Sequence, residues 1–180
     1  MPGLAPKTDW LLLLQARASL IAGACLAIAL RFAGTADSQA AETISEHLMN
    51  FASQKRSTLH PAQMASRPTR DMRLDRSTLD TCQAVCAVSL GMVLAGTGDL
   101  DALRILRGLR KNSEIETAYG VHMATHLAIG YLFLGGGKYT FRRDKLAVAC
   151  LLIAAFPRWP TELTDNQVLF FFSSPLVRGS

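Results

Sequence analysis

Aromatic and charged side chains are both scarce in this sequence. Only 7% of its 180 residues are aromatic and 18% charged, while 49% are hydrophobic. The apolar content therefore rests on Ala, Leu, Ile, Val and Met, a mix that suits closely packed helices. Carboxylates are nearly absent from the apolar runs, which leaves no place for a buried acid tuned for catalysis. No Gly-x-Ser-x-Gly nucleophile elbow occurs, and neither does the short cysteine spacing of a zinc ligand set. The four cysteines, Cys25, Cys82, Cys86 and Cys150, lie inside apolar runs at irregular spacing. A secreted disulfide framework would set them among loops, so they are expected to be reduced and buried.

A continuous membrane-length run is missing too. Arg17 divides Trp10–Leu14 from Ala18–Leu30, and Arg31 closes the second run. That leaves about 13 residues where a span needs roughly 20. A buried helix of a soluble protein is expected here, with a cleaved signal or a membrane anchor over residues 10–30 as the competing reading. The formal charge of +5 is concentrated between Lys55 and Arg76. A basic loop explains it as well as a binding face does.

What the sequence does contain is a repeat. Leu26 to Thr35 aligns with Val88 to Thr97, and both align with Leu127 to Gly136. Gly96 and Gly135 are 39 residues apart, whereas Gly34 and Gly96 are 62 apart. The surplus points to an insertion within Ser53–Asp80, which holds Pro61, Pro68 and six Lys or Arg residues and is expected to be mobile. Each copy reads as an apolar helix, a glycine turn and a more amphipathic helix. The expected pairs are 18–33 with 37–53, 78–94 with 100–109, and 119–134 with 144–156, the last stopped by Pro157 and Pro160. Domain boundaries follow: a lead-in at 1–17, repeats at 18–53, 78–111 and 112–160, a mobile basic insertion at 54–77, and an atypical tail at 161–180. Such pairs cannot bury their own apolar faces, and stacking them into an all-α solenoid does so. Gly34, Gly96, Gly98, Gly135, Gly136 and Gly137 are the expected turn residues, because a left-handed conformation costs other residues roughly 1–2 kcal/mol.

The stretches Gly91 to Leu100, Tyr119 to Gly130 and Leu132 to Thr140 resemble the proteasome/cyclosome repeats of the large scaffold subunit of the anaphase-promoting complex. Gly23 to Thr35 and Leu151 to Pro160, with Thr164-Asp165-Asn166, are similar to the same family. The scaffolds of the proteasome regulatory particle share the general repeat and are the alternative. The resemblance implies an α-solenoid of helix-turn-helix repeats, part of a toroid. Its implied role is non-catalytic: organising other subunits of a cell-cycle ubiquitin ligase in nucleus and cytoplasm. Other subunits are then the partners, with no nucleic acid, membrane, small-molecule substrate, cofactor or metal. No catalytic residue carries over. Beyond Asn166 the chain departs from the family.

Three local patterns carry candidate chemistry. His122 and His126, like Cys82 and Cys86, have the four-residue spacing that lets two ligands share a metal. Both pairs lie in the repeat's packing register, so packing is the favoured reading. Gly135-Gly136-Gly137-Lys138 with Thr140 misses the phosphate-loop pattern because Tyr139 interrupts it. Arg104, Arg107 and Arg110 form a helical stripe that is the leading candidate for a protein contact, against a solvated outer face. Arg56-Ser57-Thr58 and Arg76-Ser77-Thr78 are candidate phosphorylation contexts.

Overall fold

A computed structural model describes residues 6–59, 74–111 and 119–156, with the side chains of 10–56, 74–109 and 119–156. The described residues form six α-helices and no strand: α1 (Pro6–Arg31), α2 (Ser38–Leu59), α3 (Arg76–Val93), α4 (Leu100–Lys111), α5 (Tyr119–Leu132) and α6 (Lys145–Ala154). A short 3-10 turn follows α5 at Leu134–Gly137. The architecture is all-α, three apolar first helices stacked side by side with second helices packed along them.

The centre is α3, which packs against α1, α2 and α5. Enclosed from these sides, it buries every residue from Cys82 to Val93, which explains why its sequence is apolar nearly all round. On α1 the buried stripe is Ala18, Ala22, Cys25 and Ala29, small residues on one face that let α3 approach closely. The second helices are amphipathic. In α4, Ala102, Leu106 and Leu109 point inward while Asp101, Arg104 and Arg107 are exposed.

Four expectations need correcting. Residues 6–17, set apart as a lead-in, are continuous with α1. The opposite face of α1 is not buried: Trp10, Leu12, Leu13 and Leu20 are exposed. By length and composition alone α1 could cross a membrane. The single Arg17 interrupts its run without shortening the helix. Residues 54–59 and 76–77, assigned to the insertion, are helical. Asp75 caps the start of α3 by accepting from Ser77 N at 3.2 Å, and the Lys55 ammonium of α2 meets Asp80 of α3 at 2.5 Å in a nearly dry site, the two side chains 9% and 11% exposed. Asp80 Oδ1 makes no hydrogen bond of good geometry, yet at that distance the charge contact governs the pair. Finally, Cys150 is exposed on α6, whereas Cys25, Cys82 and Cys86 are buried; all four thiols are free. Residues 60–73, the tail at 161–180, Pro157 and Pro160 lie outside the described residues.

Candidate functional site

The first two glycine turns are built alike, atom for atom. In the first, the Thr35 hydroxyl donates to Phe32 O at 2.8 Å, Asp37 N donates to Thr35 Oγ1 at 3.2 Å, and Ala40 N donates to Asp37 Oδ1 at 2.8 Å. In the second, Thr97 donates to Leu94 O at 2.8 Å, Asp99 N to Thr97 Oγ1 at 3.2 Å, and Ala102 N to Asp99 Oδ1 at 2.7 Å. The threonine closes one helix and the aspartate caps the next, satisfying backbone groups that both helix ends would leave unpaired.

The same turns lock consecutive repeats together. Gly34 N donates to Met92 O at 2.8 Å and Ala36 N to Val93 O at 3.1 Å. One repeat later, Gly96 N donates to Tyr131 O at 3.0 Å and Gly98 N to Leu132 O at 2.9 Å. Each turn thus takes up the open carbonyls at the C-terminus of the next first helix. A positive φ at both donors aims their N–H groups that way: +64° at Gly34, +54° at Ala36, +78° at Gly96 and +64° at Gly98.

Ala36 was missed by the sequence reading, although the repeat register places it opposite Gly98. As the only non-glycine residue with positive φ among those described, it holds strain that glycine would relieve. Ala36→Gly is expected to stabilise the fold by about 0.5–1 kcal/mol, the relief exceeding the entropy lost by a freer unfolded chain. Urea-dependent pulse proteolysis measures it.

The third turn departs from this plan. Gly135, Gly136 and Gly137 are left-handed, at φ +58°, +62° and +83°. The threonine and aspartate positions, however, are occupied by Gly136 and Lys138, so no cap starts a helix there. The chain instead runs back across the other two turns. Tyr139 O lies where a Cβ on Gly96 would stand, and the Thr140 hydroxyl donates to Gly34 O at 3.0 Å. The Phe141 ring meets Tyr131 edge-on with centroids 4.9 Å apart. Only at Asp144, which accepts from Ala147 N at 3.3 Å, does α6 begin, and it contacts α1. Residues 138–144 form a strap over all three turns.

The other candidate residues are scattered. Arg104 is exposed and paired with Asp101 at 2.5 Å, Arg107 is exposed, and the Arg110 side chain lies outside the described ones. His122 is half-buried and His126 exposed. Among the described residues, no three His, Cys, Asp or Glu side chains converge as a metal site would require. A hydrogen bond with Cys25, then burial, pushes the Cys86 thiol up; burial, then the neighbouring Cys25, does the same to Cys82. Both remain protonated at neutral pH, unlike the thiolates that bind metals or attack substrates.

The sequence is similar to known proteins over most of its length. Residues 8–171 match the family described as APC1 fifth domain. The chain belongs to that family. Among its curated relatives, the negative regulator of mitosis of Emericella nidulans is 44% identical over 149 residues, covering 83% of this chain and 7% of the relative. Anaphase-promoting complex subunit 1 of Dictyostelium discoideum is 39% identical over 152 residues (83% and 7%), and that of Homo sapiens 36% over 153 (85% and 7%). The chain therefore spans less than a tenth of the length of these relatives. In this chain the described residues form a stack of helix pairs, joined at one edge by hydrogen bonds from the glycine turns.

Proposed function

We propose that this chain is a non-catalytic piece of the scaffold of the anaphase-promoting complex, holding other subunits in position for ubiquitin transfer by the cyclosome. The observation that carries the reading is the backbone lock between repeats, in which the Gly34, Ala36, Gly96 and Gly98 N–H groups bond to the next first helix. Such a lock fixes the spacing and angle of successive pairs, the property a scaffold needs and a catalyst does not. The exposed face of α1 suits a neighbouring helix pair of a longer solenoid. Nucleus and cytoplasm are the compartments that fit this role.

The test is a pull-down of the full-length subunit. Gly96→Val places a branched side chain against the Tyr139 carbonyl, where even a Cβ would stand 1.9 Å away, and it is expected to cut recovery of the other subunits several-fold. Gly135→Val meets Tyr139 Cδ2 at 2.3 Å and its Cβ at 2.8 Å; turning the ring relieves the first contact but not the second, so this variant is also expected to lower recovery, by less than Gly96→Val. Replacing residues 60–73 by a short Gly/Ser join, sparing Lys55, is expected to retain the partners because loop closure depends weakly on length. If the deletion abolishes assembly while Gly96→Val is silent, the inserted segment is the binding element and the scaffold reading of the turns fails.

A membrane role for α1 competes through its exposed apolar face. Flotation with neutral liposomes separates the two: the full-length subunit is expected to stay with the soluble fraction, and co-flotation that is lost on Leu13→Glu/Leu20→Glu would favour the membrane.

A further inference from the structure

The strap carries more charge than its structural work requires. Between Lys138 and Lys145 stand four cations, Lys138, Arg142, Arg143 and Lys145, and a single acid, Asp144. That carboxylate is already engaged, accepting from Ala147 N and from Arg142 Nε at 3.0 Å. Among the described residues no ion pair joins Lys138, Arg143 or Lys145, and all three are exposed. The acids of the first two turns, Asp37 and Asp99, are occupied as helix caps, and Arg31 in the last turn of α1 is another exposed cation.

Between these charges along the chain lies an aromatic residue, Tyr139. Tyr139 is 71% exposed, yet its ring edge occupies the space a side chain on Gly135 would need, so the glycine turn supports one side of the ring and leaves the other to solvent. The backbone beneath is held at Thr140 through Gly34 and at Phe141 through Tyr131. A segment fixed at these points, with exposed cations flanking the open tyrosine along the chain, is pre-ordered before any ligand arrives, which lowers the entropy cost of binding.

We propose that residues 138–145, resting on the scaffold reading above, are a docking edge for an acidic, Asp/Glu-rich segment of another polypeptide. Carboxylates pair with Lys138, Arg143 and Lys145, and an apolar group of the partner covers the open face of Tyr139. Cations at such a rim govern partner choice and association rate more than depth of binding, and salt weakens them.

The experiment uses the full-length subunit assembled with its partners and treated with a zero-length carbodiimide, which joins lysine amines to carboxylates. Lys138 and Lys145 are expected to cross-link to Asp or Glu of another subunit. Lys138→Glu/Arg143→Glu/Lys145→Glu is expected to lower recovery of that subunit about ten-fold near 0.15 M salt. Lys138→Arg/Arg143→Lys/Lys145→Arg keeps it, with unchanged circular dichroism for both. Cross-links confined to the chain itself, or full recovery by the glutamate variant, would overturn the proposal. So would a co-purifying nucleic acid that the glutamate variant loses. Failure of the wild-type subunit to recover any partner would sink the scaffold reading and this proposal with it, an outcome distinct from loss in the variant alone.

Discussion

Gly91→Val is expected to destabilise the protein by upward of about 3 kcal/mol, with Gly91→Ala costing about 1–3 kcal/mol. Gly91 lies within α3 at the crossing with α5, where an added Cβ would stand 2.7 Å from both Cα and O of Ala128. The obstacle is backbone, so no rotamer change can relieve it, and the two helices must separate. Separation loosens the packing around α3, which buries most of its length, against the buried face of α5 formed by Val121, Ala124, Ala128 and Leu132. Gly130→Ala is the control. It sits in α5 with nothing within 4 Å of an added Cβ, and is expected to gain up to about 1 kcal/mol from helix propensity. Urea-dependent pulse proteolysis of the full-length protein reads both. Equal effects at the two glycines would mean that α3 and α5 do not cross at Gly91.

Lys55→Ala is expected to cost about 3–5 kcal/mol, because it leaves the Asp80 carboxylate buried and without its counter-ion. Lys55 and Asp80 are 7% and 8% exposed as whole residues, so water cannot replace the lost partner. The double variant Lys55→Met/Asp80→Leu removes both charges and keeps the branching of the aspartate and nearly the bulk of the lysine, and is expected to recover most of the loss. The same proteolysis assay decides it: a double variant as unstable as Lys55→Ala would show that the site depends on something other than the charge pair. This pair joins the end of α2 to the start of α3 and thereby holds together the two margins of the segment that breaks the repeat spacing.

Much of the architecture was legible from spacing alone. The apolar runs of Ala, Gly, Val and Leu between glycine turns identify the first helices, and the 39-residue offset between Gly96 and Gly135 identifies their stacking. That offset reappears in space, since Met92 and Tyr131 accept the corresponding turn bonds. Even Ala36 was readable in principle, opposite Gly98 in the register. The third turn was readable as well, because Gly136 and Lys138 stand where the earlier copies have the threonine and the capping aspartate.

Other features could not be read this way, because they depend on residues far apart in the chain. Lys55 looks like part of a solvated basic run until Asp80, 25 positions later, is seen to face it. Nothing local marks Gly91 as different from Gly130, since both are glycines inside apolar helices; only the approach of Ala128 distinguishes them. Periodicity determined that the chain is a stack of helix pairs, because helix faces and glycine turns are encoded within a few residues of one another. Tertiary structure alone decided which glycines bear a close approach, which charges are buried, and that the strap crosses back over Gly96 and Gly34, because each rests on contacts between residues tens of positions apart that no local pattern specifies.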